Sequence, residues 1–277
     1  KTTTLRLLIG ALKPDSGSVS ICGYDIHNQV EQARAQVGYL SQRFSLYEDL
    51  TVLENIRFFA ELRGLTQSEW MPRCMETLAF VGLADFINRR TGQLSGGMKQ
   101  KLGLASALVT HPRVLLLDEP TTGVDPVTRQ DFWQLIIKLV APPSTTLDSD
   151  LGKQECLRSV ILTTPYMDEA SRCHRVGFMK GGKLIVEGTP SALRSRLDNR
   201  ILEIRGVDLH LLRQLTSAIA GVEDVRAFGD RLHLRVKSGF ADKVTAALSG
   251  AFSNTDVRLH VRPVPPTLED IFIALAP

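Results

Sequence analysis

"LSGGMKQKLGLASALVTHPRVLLLDEPTTGVDP", residues 94–126, is the stretch from which the fold follows. Ser95, Gly96 and Gly97 make a small polar loop, and the apolar spacing after Met98 predicts a helix that stops near Pro112. "RVLLLD", residues 113–118, then runs almost continuously apolar up to an acid, the pattern of a parallel strand buried on both faces. An Asp at the end of such a strand emerges at the carboxyl edge of the sheet, where open α/β sheets bind ligands. Asp118 in that place can hold Mg2+ directly or through water, and Glu119 beside it can orient or deprotonate an attacking water. The plainer alternative is a strand end whose acids face solvent. The loop before the helix has two readings as well. Its glycines let backbone N–H groups and the helix dipole approach an anion, or Ser95 is an N-cap behind a flexible turn.

Outward from this unit the pattern repeats. Helical spacing runs from Thr2 to about Leu12, and "KPDSGSVSICG" (13–23) reads as a turn followed by a strand. "VGYLSQ" (37–42) is a short strand ending at Gln42. From Thr51 to Arg90 the spacing is helical, with Thr51 and Glu54 forming a capping box at its start. After the central strand come a helix over 126–140, a strand "SVILTT" (159–164), a helix "MDEASRC" (167–173), a strand "RVGFMK" (175–180) and a turn at Gly181-Gly182. Strands alternating with helices predict a parallel sheet. Residues 141–158, with Pro142-Pro143 and a polar DSD, are too long for an ordinary αβ connection and read as a mobile surface excursion. Beyond the polar segment "RSRLDNR" (194–200) the order changes to β-α-β-β-α-β, the ferredoxin-like order, followed by a last helix "TLEDIFIALA" (267–276). The expected organisation is a first domain over 1–195 and a small α+β accessory domain over 200–277.

The totals exclude several classes. The 277 residues are 43% hydrophobic and 23% charged, an ordinary globular balance, and the net charge of +3 comes without a block of like charges, so a nucleic-acid binder is not indicated. Cys22, Cys74, Cys156 and Cys173 form no C-x-x-C pair, which argues against a zinc site or a disulfide framework and fits a reducing compartment. No apolar run reaches the roughly 18–20 residues of a spanning helix.

The chain opens with "KTTTLRLLIG". In the pattern G-x-x-x-x-G-K-[ST] the glycine loop cradles phosphates, the Lys reaches the terminal phosphates and the hydroxyl binds Mg2+. Lys1 and Thr2 would be its last two members. A Lys-Thr pair alone has almost no specificity; the order of Lys1-Thr2, Gln42, Ser95-Gly96-Gly97, Asp118-Glu119 and Asp125 has a great deal. With these residues in place the chain resembles the ATP-binding subunit of an ABC transporter. Residues 94–126 resemble that family's signature, Walker B and D-loop in unbroken succession, and "VGYLSQ" resembles its Q-loop. "PYMDEASRC", "GGKLIVEGTP" and "PTLEDIFIAL" resemble the branch that serves exporters of drugs, lipids and polysaccharides, which often carries a small C-terminal domain.

The resemblance implies an α/β fold: a P-loop NTPase core with a parallel sheet and a helical subdomain at about 43–97, then the ferredoxin-like domain. It implies ATP and Mg2+ as cofactors. Lys1, Thr2 and Thr3 would bind the nucleotide, with Thr2, Gln42 and Asp118 toward the metal and Glu119 as catalytic base. Ser95, Gly96 and Gly97 would complete the site of a second ABC ATPase, a copy or a different module, with Asp125 at the dimer interface. A separate membrane permease would dock on the Q-loop and the helical segment after it, near Phe44, Tyr47, Phe58 and Phe59; for each aromatic, core packing is the plainer role. The subunit would sit peripherally on the cytoplasmic face of the inner (plasma) membrane, and no nucleic acid is implied. Two departures stand out. By this pattern the chain opens inside the Walker A loop, and the family's His after the "TT" strand is Pro165 here. The proline keeps open the alternative of a regulatory module with little turnover, possibly half of a tandem ATPase; a non-transport ABC ATPase is the third reading.

Overall fold

A computed structural model describes residues 1–42, 45–141, 159–206, 209–252 and 259–275. Phe44 and nearly all of the 141–158 excursion therefore lie outside the described residues. The described chain forms two compact units, Lys1–Pro165 and Tyr166–Pro277.

The first unit is built on three parallel strands, β3 (Val37–Leu40), β4 (Val114–Asp118) and β5 (Ser159–Thr163), in that spatial order. The apolar run Leu115-Leu116-Leu117 is almost completely buried because the central strand is covered on both faces. Helix α1 (Thr2–Leu8) packs on β4, α5 (Gly96–Leu108) on β3 and α6 (Pro126–Val140) on β5. The fit of α5 is close: a Cβ on Gly38 would stand 2.5 Å from the Ala107 carbonyl oxygen, so a side chain at 38 would push the helix off the strand. A two-residue ribbon, β1 (Ser20–Ile21) with β2 (Tyr24–Asp25), and a short helix α2 (Val30–Ala35) precede β3. The sequence pattern does not foretell α2.

The helical spacing expected over 51–90 appears as two helices that end at Val81, followed by only a single 3-10 turn at Ala84–Phe86. The first, α3 (Val52–Leu62), starts at the Thr51–Glu54 capping box. The chain then turns at Gly64, which is left-handed with φ 81°, and a second capping box, Thr66 with Glu69, starts α4 (Gln67–Val81). Both helices pack on α5. The buried Asn55 ties the preceding loop to them: its amide nitrogen reaches the carbonyls of Tyr47 and Thr51 and the Thr91 hydroxyl at 2.9–3.1 Å, and its oxygen accepts the Tyr47 N–H at 2.9 Å.

The second unit starts with a four-residue helix α7 (Met167–Ala170) and an antiparallel hairpin, β6 (Val176–Lys180) and β7 (Lys183–Gly188). Gly181 and Gly182 both have positive φ, as a two-residue turn matched to the strand twist requires. Thr189 caps α8 (Pro190–Arg194). Next come β8 (Ile201–Arg205), α9 (Leu209–Ser217), β9 (Val222–Phe228), β10 (Arg231–Val236), α10 (Ala241–Phe252) and β11 (His260–Pro263), with spatial strand order β11-β8-β10-β9, all antiparallel. That is the ferredoxin-like arrangement of the β-α-β-β-α-β order. Leu202, Ile204, Leu232, Leu234, Val244 and Leu248 form its core. A second core joins Phe178, Val186 and Leu193 of the hairpin region to Ile201 and to Leu268 and Ile271 of the terminal helix α11 (Leu268–Leu275). The terminal helix thus packs with the hairpin segment, and the compact units divide at Pro165/Tyr166 rather than at the polar segment 194–200.

On the other face of the ferredoxin-like sheet Glu203 is buried among arginines. It accepts from Arg231 at 2.9 Å, from Arg262 at 2.8 and 2.9 Å and from Arg205 at 3.2 Å. The Arg231 hydrogen bond, with Arg262 next and against the effect of burial, holds its carboxyl at about 2 rather than the ordinary 4.5. A depressed pKa means that the folded state favours the ionised form, so this contribution is present above pH 4.5 and is lost as pH falls from there toward 2. Glu203→Gln should therefore lower the melting temperature by several degrees at neutral pH and flatten the acid dependence between about pH 5 and pH 2. The two tryptophans, Trp70 and Trp133, both lie in the first unit. The loss should appear by circular dichroism while the tryptophan-fluorescence transition stays in place; a shift of the fluorescence transition instead would refute the assignment.

Candidate nucleotide and metal site

Parallel pairing fixes the location of the site. Since β3, β4 and β5 run the same way, their carboxyl ends deliver Gln42, Asp118-Glu119 and Thr163-Thr164 to one edge. Asp118 and Thr163 are direct register partners. The Thr163 hydroxyl donates to Asp118 Oδ1 at 2.7 Å, and the Thr2 hydroxyl, from the first turn of α1, donates to the same oxygen at 3.2 Å. Asp118 is 1% exposed, and its second oxygen, Oδ2, is buried without a hydrogen-bond partner. A buried carboxylate oxygen left unpaired costs roughly 1–3 kcal/mol or more.

Glu119 follows with φ 48°, a conformation that residues other than glycine rarely adopt. Its N–H holds it there by donating to the Thr163 hydroxyl at 3.0 Å and lying 3.1 Å from the Thr163 carbonyl. The Glu119 carboxylate is partly exposed and accepts from Gln42 Nε2 at 3.2 Å and from the Thr122 hydroxyl at 3.3 Å. Lys1 Nζ donates to the Thr164 carbonyl at 2.7 Å. Lys1, Thr2, Gln42, Asp118 and Glu119 are thus gathered at one sheet edge. Thr163, absent from the sequence-based set, is the residue that links the two acids; its signal was available in the ends of two adjacent parallel strands. Tyr39, one strand away, has its hydroxyl pKa raised by burial and next by the charge of Asp118.

The other expected residues occupy a second place. Ser95 accepts the Met98 N–H at 3.3 Å as N-cap of α5. Asp125 caps α6, accepting the N–H groups of Val127 and Thr128 at 3.1 and 3.0 Å, and the Thr128 hydrogen bonds lower its pKa. A Cβ on Gly97 would stand 2.5 Å from Thr128 Cγ2, whereas one on Gly96 would meet nothing within 4 Å. Gly97 is what allows the two helix starts to touch. No hydrogen bond among the described residues joins Ser95 or Asp125 to Asp118 or Glu119. Thr3 is exposed on α1 and makes no hydrogen bond with any described side chain.

The residues at the sheet edge suit a hard divalent cation. Oδ2 of Asp118 lacks a partner, and the Thr2 hydroxyl oxygen lies beside the same carboxylate. Among the described residues no group of three or more His, Cys, Asp or Glu side chains forms a metal site of its own. Mg2+ accepts such sparse ligation, being held by one or two protein oxygens together with waters and substrate phosphates.

The chain is similar to known proteins. The family model described as ABC transporter matches residues 1–122. The chain is similar to the Nod factor export ATP-binding protein I of Paraburkholderia xenovorans (strain LB400), with 37% identity over 99% of this chain and 84% of that protein. It is 42% identical to the probable multidrug ABC transporter ATP-binding protein YbhF of Escherichia coli (strain K12) over 72% of this chain, and spans about a third (32%) of that longer relative. Among solved structures it resembles a dimeric ATP-binding cassette in a post-hydrolysis state bound to ADP and Pi, with TM-score 0.56 and 26% identity over 68% of this chain and 79% of that one. A parallel sheet whose edge gathers Thr2, Gln42, Asp118 and Glu119, in a chain alike along almost its whole length to an export ATP-binding protein, places the protein in the ABC transporter family, among its ATP-binding subunits.

Proposed function

We propose that this chain binds and hydrolyses ATP to power export of a substrate through a separate membrane permease. The observation that carries this reading is the pairing of a buried, half-satisfied carboxylate with an exposed one on consecutive residues. Asp118 is fixed by Thr2 and Thr163 with one oxygen left open, and Glu119 stands beside it against Gln42. Thr2 and Asp118, with Gln42, would hold Mg2+, which when bound neutralises charge on the phosphates of ATP. Lys1 reaches toward the same phosphates, and Thr3 completes the binding turn of α1. Glu119 accepts the proton of the attacking water, and Gln42 orients that carboxylate. The left-handed backbone at Glu119 keeps its side chain at the edge of the sheet instead of continuing along the strand.

Ser95, Gly96 and Gly97 serve the site of a second ABC ATPase, with Asp125 near that interface. The dimeric relative bound to ADP and Pi supports this pairing. Among the described residues no helix is long and apolar enough to cross a membrane; the reading assigns substrate passage to the separate permease. Tyr47 and Phe58, 49% and 37% exposed and in edge-to-face contact at 4.8 Å, are the surface on which the permease docks, on the cytoplasmic face of the membrane. The names of the relatives, multidrug and Nod factor export, support an exported rather than an imported substrate.

Glu119→Gln in the full-length protein should leave ATP binding in place and slow phosphate release at least about 100-fold, since the amide keeps the shape but cannot act as a base. Turnover near the wild-type rate would remove Glu119 from this role.

A second reading, a module that binds nucleotide with little turnover, is favoured by Pro165. It stands exposed in the turn just after β5, where the family carries a His, and it offers neither a side-chain donor nor a backbone N–H. One charge-assisted hydrogen bond missing from the transition state is worth roughly 1.5–3 kcal/mol, or about 10–150-fold in rate. Pro165→His should raise ATP turnover by about tenfold or more. No gain, with Glu119→Gln still abolishing activity, would show that another group already fills the role.

A further inference from the structure

The second unit contains a cleft that ATP hydrolysis does not use. It has a volume of about 190 Å3 and is bounded by the turn Ser195–Leu197, by β9 and β10, and by the terminal helix α11. One wall is apolar: Leu197 and Ile271 are buried in the core beneath it, and Ala274 and Leu275 continue it along α11. The other wall is charged, with Arg196, Arg200 and Arg235 around a single carboxylate, Glu223.

The hydrogen bonds on the charged wall leave most of the guanidinium capacity open. Arg200 donates through Nε to the Val236 carbonyl at 2.9 Å and through Nη2 to Glu223 Oε2 at 2.8 Å. Arg235 donates through Nε to that same oxygen at 3.1 Å. Arg196 has no hydrogen-bond or ion-pair partner among the described residues. Three guanidiniums thus face one carboxylate, and that carboxylate is already neutralised by two of them. Arg200 and Arg235 have side chains only 24% and 21% exposed, so their charges are less screened than those of a surface arginine. An uncommitted guanidinium edge is matched by the two oxygens of a carboxylate or phosphate. The apolar wall demands more than an inorganic ion. The cleft has room for several waters, enough for an anionic head and a short apolar stem.

We propose that this cleft binds a small anionic amphiphile: a carboxylate or phosphate monoester head held by Arg196, Arg200 and Arg235, with an aliphatic or aromatic stem laid along Leu197, Ala274 and Leu275. The site is independent of the sheet-edge acids and does not rest on their role.

Calorimetric titration of the full-length protein tests it, with hexanoate and hexyl phosphate as probes and hexanol and inorganic phosphate as controls. At least one probe should bind saturably and at least tenfold more tightly than both controls, and which probe wins identifies the head group. Arg196→Glu should weaken that binding tenfold or more, and Arg196→Gln less. Ala274→Phe should block it by filling the cleft. Arg196 is exposed and without a partner and Ala274 is partly exposed, so the melting temperature of these variants should stay near wild type, and the ATPase rate without probe should be unchanged. The proposal is overturned if no probe binds saturably, if inorganic phosphate binds as well as the probes and Ala274→Phe has no effect, or if both substitutions leave probe binding intact.

Discussion

The chemistry of the first unit depends on one contact, the Thr163 hydroxyl on Asp118 Oδ1. It exists because β4 and β5 are parallel and in a register that sets 118 opposite 163. The same threonine, through its hydroxyl and carbonyl oxygens, receives the N–H of Glu119 and stabilises the left-handed backbone there. One side chain therefore orients the buried acid and supports the turn that presents the exposed one. A register slip of one residue would put Leu162 opposite Asp118 and remove both contacts.

The parts of this arrangement that were legible in the sequence are those that leave a local mark. The apolar run ending in Asp118, the Thr51–Glu54 capping box, the serine before α5 and the β-α-β-β-α-β order each depend on a few neighbouring residues. The parts that were not legible depend on contacts across the chain. The helical stretch 51–90 breaks at Gly64 because one residue adopts positive φ, and periodicity does not register a single turn. Thr163 becomes a site residue only when its strand lies beside the acid strand. The polar segment 194–200 looked like a boundary because it is hydrophilic, yet Leu197 within it and Leu193 and Ile201 on either side of it belong to one core with Leu268 and Ile271. Composition reports exposure, and a compact unit is defined by which apolar side chains share a core.

The second unit shows how charge is accommodated at a sheet face that the helices α9 and α10 leave uncovered. Glu203 lies among Arg205, Arg231 and Arg262, so that like charges on three antiparallel strands converge on one acid instead of repelling one another. Cross-strand pairs of opposite charge each contribute modestly, but here the carboxylate is buried and its removal would leave three guanidiniums in close company. The neighbouring cleft has the same three arginines to one carboxylate but engages fewer of them: Glu223 accepts one N–H from each of two arginines, and Arg196 is left over. The first cluster is closed by its own chain and the second is not, which separates a structural ion network from a surface suited to an external anion.

A similar distinction applies to the glycine-rich loop of the first unit. Ser95 has an internal role, since it caps α5, and so has Asp125, which caps α6. Gly97 is required internally too, because Thr128 lies where its side chain would be. These three residue types are accounted for by the folding of a single chain. Gly96 is not: it has ordinary helical φ, and a Cβ there would meet nothing within 4 Å. A glycine in a helix start costs stability relative to alanine, by about 0.5–1 kcal/mol in the helix interior and less at the first position. If the folded chain alone set the choice, alanine would be the better residue at 96. The described residues supply no internal reason for the bare backbone at that position, which leaves the N–H groups at the start of α5 open to close approach from outside the chain.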